Sequence, residues 1–268
     1  RTFLTTKDGR RGLSKAYAFT SLKDAELAAR EAEVLRGLDH PKISKCYDQY
    51  TVDDYGSSYF VVDLDFVEGE SLDDVINREG QISTELAEQV TRETVEILRY
   101  LQSQETPVIH RDIKPGNLIL NPETGVHLID FGIVKQSQAT ISGSTMVGSP
   151  GYTAPEQWAA LTVPKSDIFS LGATLYHALT GISPEQLEVK GTAMPEFQYD
   201  KIEDPKFRVL IEMITDREPE DRPDLDEIIK ILDSNTALVK MDGSNETTSE
   251  LSLYGKAILD GFALLGRN

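Results

Sequence analysis

The sequence has little cysteine and a shortage of positive charge. A single cysteine, Cys46, excludes an internal disulfide and any zinc site built from several cysteines, and it fits a reducing compartment such as the cytoplasm. There are 27 lysines and arginines against 45 aspartates and glutamates, a net charge of −18. Because phosphate neutralisation requires a basic face, this charge argues against a body that binds nucleic acid.

Long hydrophobic runs are also missing. No apolar stretch approaches the roughly 20 residues that cross a bilayer, so we expect no direct membrane insertion. The sequence does not open with a basic segment followed by an apolar one, which argues against a secretory signal. It opens on Arg1 rather than methionine, and we therefore expect a fragment or processed form that belongs with further domains of a larger polypeptide.

The 268 residues are enough for one large domain or for two lobes. Near the start, two stretches of β-forming residues flank a turn-rich connector and predict a hairpin over residues 3–6, 7–12 and 16–19. Apolar residues at helical spacing then predict a helix over residues 22–38, and an apolar run predicts a strand over residues 59–64.

Helical patterns dominate the chain after residue 68. Ser83 is the predicted N-cap of a helix that reaches about residue 103. Two further helices are predicted over residues 167–180 and 224–232. Short apolar strands are predicted over residues 118–120 and 126–129, around a turn.

Together these patterns predict an α+β fold with two lobes and a cleft between them. Residues 1–66 form the small β-rich lobe with one helix, and residues 67–234 form the larger, mainly helical lobe. The remaining residues, 235–268, are predicted to be a polar linker followed by an amphipathic helix over residues 251–265.

Three motifs follow one another in the larger lobe. The first is residues 110–117, which read His-Arg-Asp-Ile-Lys-Pro-Gly-Asn; the second is Asp-Phe-Gly at residues 130–132; the third is Ala-Pro-Glu at residues 154–156. This arrangement resembles the catalytic loop, the metal-binding motif and the end of the activation segment of eukaryotic-like (Hanks-type) serine/threonine protein kinases. The amino-acid sequences of several segments are most similar to those of bacterial members of that family.

The resemblance implies a role for each polar residue of these motifs. Asp112 accepts the proton of an incoming hydroxyl, and Lys114 contacts the transferred γ-phosphate of ATP. Asn117 and Asp130 supply an amide oxygen and a carboxylate to Mg²⁺, which prefers oxygen ligands. In the family, the Lys-Pro-x-Asn spacing accompanies transfer to serine and threonine. Taken singly, each of these residues would be an ordinary loop or capping residue.

The resemblance also implies structural and regulatory residues. His110 and Phe131 are expected to pack in the interior, Asp167 to be structural, and Glu156 to form an ion pair with Arg222. Arg111 marks kinases in which phosphorylation orders the activation segment, and Ser149 is expected to contact the catalytic loop. The candidate phosphorylation sites are Thr140, Ser142, Ser144 and Thr145.

The small lobe departs from the family pattern. Glu31 matches the helix glutamate that pairs with a strand lysine, but reading Tyr17-Ala18-Phe19 as the strand motif puts Thr20 where the lysine is expected. A glycine-rich loop over the phosphates is also missing. Lys15 and Lys23 are the alternatives: Lys15 is expected on the other face of the strand and Lys23 near the start of the helix, both as solvated lysines.

The rest of the nucleotide pocket matches the family. Leu64 corresponds to the gatekeeper, and the hinge that would hydrogen-bond adenine begins at Asp65 and ends at Val67. Ala18 and Ile119 are expected to lie on the two sides of the adenine ring.

Three functions remain open on this basis. The first is a serine/threonine protein kinase that uses ATP and Mg²⁺ and acts on protein substrates. The second is a pseudokinase, a binding or regulatory module with weak or no transfer because Thr20 replaces the lysine. The third is a small-molecule phosphotransferase, which should lack the Ala-Pro-Glu segment at residues 154–156.

Overall fold

The computed structural model describes residues 1–7, 9–19, 22–54, 56–131, 148–187 and 194–234. Its strands are β1 Thr2–Lys7, β2 Arg10–Phe19, β3 Cys46–Asp54, β4 Ser57–Asp65, β5 Glu70–Ser71, β6 Leu118–Asn121 and β7 Gly125–Leu128. Its α-helices are α1 Leu22–Gly37, α2 Leu72–Glu79, α3 Thr84–Gln102, α4 Pro155–Trp158, α5 Pro164–Thr180, α6 Pro205–Ile214 and α7 Leu225–Asp233.

The small lobe is an antiparallel sheet with one helix against it. The strand order is β1-β2-β4-β3, and α1 packs on β3 and β4. Strand β2 begins at Arg10, six residues before the start predicted from sequence, so the hairpin turn is shorter than the predicted connector. Strand β3 was not predicted because it is an edge strand that is exposed from Tyr50 onward and ends in two aspartates.

The large lobe is built around α3 and α5, which pack against each other. Residues 166–176 of α5 are buried all around the helix rather than on one stripe, as expected for a helix at the centre of a lobe. At Gly172 a Cβ atom would lie 2.6 Å from the Thr215 side chain and 2.7 Å from that of Ile214. The absence of a side chain at Gly172 therefore sets how closely α6 approaches α5.

Residues 39–43, between α1 and β3, fasten the small lobe to the large one. The backbone N–H of Leu128 donates to the carbonyl of Lys42 at 2.9 Å, and the Lys42 ammonium lies 2.5 Å from the Glu93 carboxylate on α3. The N–H of Asp39 donates to the Tyr100 hydroxyl, also on α3, at 2.7 Å. These contacts hold α1 and the sheet in one position above the second sheet, β5-β6-β7.

Arg222 is the largest fully buried side chain among the described residues. Its guanidinium forms a two-point ion pair with Glu156, at 2.7 and 2.9 Å. The other N–H groups donate to three backbone carbonyls, those of Lys165, Asp216 and Arg217. The predicted ion pair is therefore present, and it joins α4 to the segment before α7.

Replacement of Arg222 by alanine should lower the free energy of unfolding by about 3–5 kcal/mol, because it leaves the Glu156 carboxylate and three carbonyls without their buried donor. Urea denaturation measures the loss. Arg217→Ala, at an exposed side chain, is the control and should change the free energy by less than about 0.5 kcal/mol. A loss near zero for Arg222→Ala would contradict this account of the ion pair.

Glu212 on α6 is a buried acid without a compensating cation nearby among the described residues. One of its carboxylate oxygens, Oε2, has no hydrogen-bond partner in the described part of the chain. Burial, together with the neighbouring charge of Asp216, raises the pKa of Glu212 to about 7, from an ordinary 4.5. Between pH 4.5 and about 7, the folded state therefore keeps a proton on Glu212 that the unfolded state releases.

This difference predicts a pH-dependent gain from Glu212→Gln. Because the folded pKa is raised, ionisation of Glu212 costs stability as pH rises from about 4.5 through 7. The variant should therefore gain about 1–2 kcal/mol over the parent at pH 8 and almost nothing at pH 4.5. Thermal unfolding of both chains across this range measures the difference, and a gain that is equal at both pH values would be inconsistent with the raised pKa.

Candidate active site

Four polar side chains meet where the predicted catalytic loop faces the segment before α4. Asp112 is only 4% exposed, and its carboxylate accepts from the Ser149 hydroxyl at 2.7 Å and from Asn117 Nδ2 at 3.0 Å. The Lys114 ammonium donates to the Ser149 hydroxyl at 2.6 Å and lies 3.4 Å from Asp112 Oδ2. Ser149 therefore links Asp112 and Lys114.

Asn117 directly precedes β6, and Asp130 follows the end of β7 that pairs with it. The N–H of Ile129, which precedes Asp130, donates to the Asn117 carbonyl at 3.0 Å. Because Asn117 Nδ2 donates to both the backbone carbonyl and the carboxylate of Asp112, the amide oxygen Oδ1 is the atom that would bind a cation. A carboxylate and an amide oxygen suit Mg²⁺, which takes its other ligands from phosphates and water. The described residues contain no cluster of three or more histidine, cysteine or acidic residues that could hold a metal alone.

The backbone at these motifs is held in a strained conformation. Arg111 and Asp130 both have positive φ angles, of 69° and 64°. The buried Asp167 carboxylate, on α5, accepts from the N–H of Arg111 at 2.8 Å and from that of His110 at 2.7 Å. Burial nevertheless raises the pKa of Asp167 to about 6. Asp167 thus fixes the turn that presents Asp112.

His110 and Phe131 pack in the interior between the two motifs. The imidazole of His110 accepts from the N–H of Asp112 at 3.3 Å, so its other nitrogen carries the proton and donates to the Ile129 carbonyl at 3.1 Å. The rings of His110 and Phe131 lie 4.4 Å apart. With both nitrogens engaged, His110 is a packing residue rather than an acid or base.

Lys15 corrects the prediction for the small lobe. It is 8% exposed instead of solvated, and its ammonium forms an ion pair with Asp130. In the sheet, Lys15 lies opposite Val62 and Leu13 lies opposite Leu64, so Lys15 shares the face of the predicted gatekeeper. Lys15 does lie on the face of β2 opposite to that of Ala18, as expected, but the expectation that it is solvated was wrong, because the face that carries Lys15 is the one directed at Asp130.

Ala18 is misplaced by the same error. It lies opposite Tyr59 on the face of β2 away from Lys15, and it is exposed, so it does not line the cleft. Leu13 takes the corresponding place, two residues before Lys15 and facing the same way. The signal that sequence reasoning missed was the Asp-Gly pair at residues 8–9, which marks a two-residue hairpin turn and moves the whole strand earlier.

The other predicted nucleotide-binding residues lie on β4, on the segment that follows it and on β6. Leu64 is buried at the end of β4, and the chain then passes through Asp65 and Val67 to Gly69. A Cβ atom at Gly69, where φ is 140°, would lie 2.7 Å from the Ile119 side chain on β6. The segment just after the predicted hinge therefore packs closely against the strand that carries Ile119.

Some predicted residues have no described geometry. Glu31 lies within α1, but its side chain is outside the described part, as is that of Lys23. All four candidate phosphorylation sites fall in residues 132–147, outside the described ranges: Thr140, Ser142, Ser144 and Thr145. Arg111, their predicted partner, lies at the strained turn described above.

Comparison with known proteins identifies relatives for most of the chain. Residues 11–232 match the family described as "Protein kinase domain". The chain is 35% identical over 210 residues to 3-phosphoinositide-dependent protein kinase 1 of Arabidopsis thaliana, covering 72% of this chain and 42% of that protein. It is 36% identical over 142 residues to the serine/threonine-protein kinase PknA of Nostoc sp., covering 50% of this chain and 25% of that protein.

Another bacterial relative is the serine/threonine-protein kinase PknB of Mycobacterium leprae, 30% identical over 159 residues, covering 58% of this chain and 25% of that protein. This chain thus spans from a quarter to two fifths of these relatives. Among solved structures, the crystal structure of Rad53 1-466 in complex with AMP-PNP matches with a TM-score of 0.62 and 23% identity, covering 82% of this chain and 57% of that one. That likeness concerns the fold.

The position of Lys15 predicts its effect on nucleotide binding. Lys15→Met should weaken binding of Mg·ATP at least about tenfold. The substitution removes the buried positive charge beside Asp130 that would pair with the phosphates. Titration calorimetry measures the affinity. Lys45→Met, at an exposed lysine of the same lobe, is the matched control and should leave it unchanged. Equal affinity in the parent and in Lys15→Met would contradict the assignment.

Proposed function

Because the chain belongs to the protein kinase family, we propose that it transfers the γ-phosphate of ATP to serine or threonine hydroxyls of proteins. One observation supports the proposal above all. The ion pair between Lys15 and Asp130 brings a cation of the small lobe to the carboxylate that follows β7. A cation for phosphates and a ligand for Mg²⁺ thereby stand side by side, as phosphoryl transfer requires.

The transfer itself needs positioning and charge neutralisation more than covalent chemistry. The oxygen of the substrate hydroxyl forms a bond to the γ-phosphorus while the bond to the ADP oxygen breaks, and the hydroxyl proton passes to the Asp112 carboxylate. Ser149 and Asn117 hold that carboxylate by hydrogen bonds. Lys114, 3.4 Å from Asp112, neutralises charge on the transferring group.

The remaining residues hold the nucleotide. Lys15 contacts the α- and β-phosphates once it leaves Asp130, and Glu31 is proposed to orient it. Asp130 and Asn117 would hold Mg²⁺, which would neutralise negative charge on the phosphates. Leu13 and Ile119 would enclose the adenine, next to the hinge at Asp65 to Val67 and the gatekeeper Leu64. Relatives at 30–36% identity are serine/threonine-protein kinases, which supports the choice of hydroxyl.

The pseudokinase alternative depended on a missing lysine. With Lys15 buried against Asp130, a lysine at position 20 is no longer required, so the main reason for expecting weak transfer is removed; the missing glycine-rich loop is the reason that remains. A small-molecule phosphotransferase is disfavoured by the segment from Ser149 to Arg222. In it, Ser149 contacts Asp112 and Glu156 is anchored by Arg222, an arrangement expected for a platform that receives protein substrates.

The partners are proposed to be proteins with basic surfaces, because the net charge of −18 attracts them electrostatically. Among the described residues, no helix combines the length and hydropathy needed to cross a bilayer. We also propose a cytoplasmic location, which suits ATP-dependent signalling and the single cysteine. Phosphorylation within residues 140–145, paired with Arg111, stays a prediction.

Transfer of labelled γ-phosphate to a basic protein tests the proposal. The parent chain should label the substrate, and Asp112→Asn should reduce the rate about 100-fold or more, because the variant cannot accept the hydroxyl proton. Asp200→Asn, at an exposed aspartate, is the matched control and should retain the parent rate. Equal, negligible labelling by the parent and by Asp112→Asn would instead identify a module that does not transfer phosphate.

A further inference from the structure

Tyr152 joins the turn that carries Ser149 to the central helix of the large lobe. Its hydroxyl and the imidazole Nδ1 of His177, on α5, lie 2.7 Å apart and share a hydrogen bond. The side chain of Ser183 lies at the same hydroxyl. Burial raises the pKa of Tyr152 to about 12, so the hydroxyl keeps its proton at neutral pH. The hydrogen bond therefore fastens this turn to α5.

The turn between Ser149 and Thr153 is compact. The Ser149 carbonyl accepts from the N–H groups of Tyr152 and Thr153, at 3.0 and 3.2 Å, and from the Thr153 hydroxyl at 3.0 Å. At Gly151, where φ is 75°, a Cβ atom would lie 2.5 Å from the backbone nitrogen of Glu185, so the turn also packs against the segment after α5. Because the turn is closed by these contacts, a displacement of Tyr152 also displaces Ser149.

Ser149 in turn contacts the catalytic residues. Its hydroxyl donates to Asp112 at 2.7 Å and accepts from the Lys114 ammonium at 2.6 Å. The Asp167 carboxylate, ten residues before His177 on α5, accepts from the backbone of the catalytic loop. Helix α5 therefore holds the catalytic loop at one point and the Ser149 turn at another, about 15 Å further along its axis.

The imidazole of His177 is uncharged at neutral pH. Burial lowers its pKa below the ordinary 6.5, and the Asp73 carboxylate at the start of α2 opposes this only in part. A neutral side chain can therefore replace it without a change of charge. Asparagine can place an amide atom where Nδ1 lies and hydrogen-bond the Tyr152 hydroxyl in either direction. Leucine has almost the same shape as asparagine and forms no hydrogen bond.

We propose that His177 is a positioning residue for phosphate transfer: through Tyr152, it holds the Ser149 turn in the conformation that receives the protein substrate. This role rests on the kinase function proposed above. Without the hydrogen bond, the turn is ordered only when the substrate binds. Substrate binding is then weaker, while the bound complex reacts at the same rate. Binding of ATP does not involve this turn and stays the same.

Steady-state kinetics of matched variants test this role. His177→Leu should raise the KM for a basic protein substrate about fivefold, the effect of one lost hydrogen bond, and should leave kcat and the KM for ATP within about twofold of the parent values. His177→Asn should keep the parent KM. Tyr152→Phe should match His177→Leu, and the double variant Tyr152→Phe/His177→Leu should be no worse than either single variant, because both remove the same interaction.

Amide hydrogen exchange measures the same contact without phosphate transfer. In His177→Leu, the amides of Tyr152 and Thr153 should exchange about fivefold faster than in the parent and in His177→Asn. A parent chain that transfers no phosphate would contradict the kinase function, and the exchange rates would still show whether His177 holds the Ser149 turn. Equal exchange in the parent, His177→Leu and His177→Asn would overturn the positioning role. An active chain whose KM is unchanged in His177→Leu, or raised equally in His177→Asn, would overturn it as well.

Discussion

The ion pair between Lys15 and Asp130 joins groups from two separate lobes, and the arrangement of the site depends on it. Each charge is largely removed from water, so the contact is stabilising only while both partners stay in place. The small-lobe sheet must therefore keep a fixed position relative to β6 and β7. The contacts of Lys42 with Leu128 and Glu93 hold it there. A nucleotide would replace one charged contact by another, because its phosphates and Mg²⁺ take over the two partners.

In the large lobe, buried polar groups fix the backbone conformation of the catalytic loop. Asp167 holds the backbone of His110 and Arg111, and this supports the unfavourable φ angle at Arg111 that turns Asp112 toward Ser149. Arg222 holds Glu156 in the same manner. The site is therefore positioned by residues that touch no substrate, and their cost of burial is offset by complete hydrogen bonding.

The large lobe could be predicted well from sequence, and the small lobe less well. Asp112, Lys114 and Asn117 lie within six consecutive residues, so local spacing alone brings them together. Lys15 is different, because its place depends on which face of β2 meets the cleft, and a shift of one residue exchanges the faces. Both faces of this strand bury a polar residue, Ser14 on one and Lys15 on the other, so the polarity pattern of the sequence could not decide between them.

Long-range contacts explain the other gaps. Nothing local in the sequence indicates that Asp130 would meet Lys15. Strand β3 also escaped prediction because an exposed edge strand needs no apolar alternation. Such features arise from the packing of distant segments, which composition and periodicity do not report.

The most direct measurement concerns which lysine meets the nucleotide phosphates. An ATP analogue that carries a lysine-reactive electrophile in place of its terminal phosphates is incubated with the chain, and peptide mapping by mass spectrometry locates the label. The account predicts modification of Lys15 that is suppressed by excess Mg·ATP. Labelling of Lys23, with Lys15 unmodified, would contradict it and would return the small lobe to the interpretation in which Thr20 occupies the lysine's place.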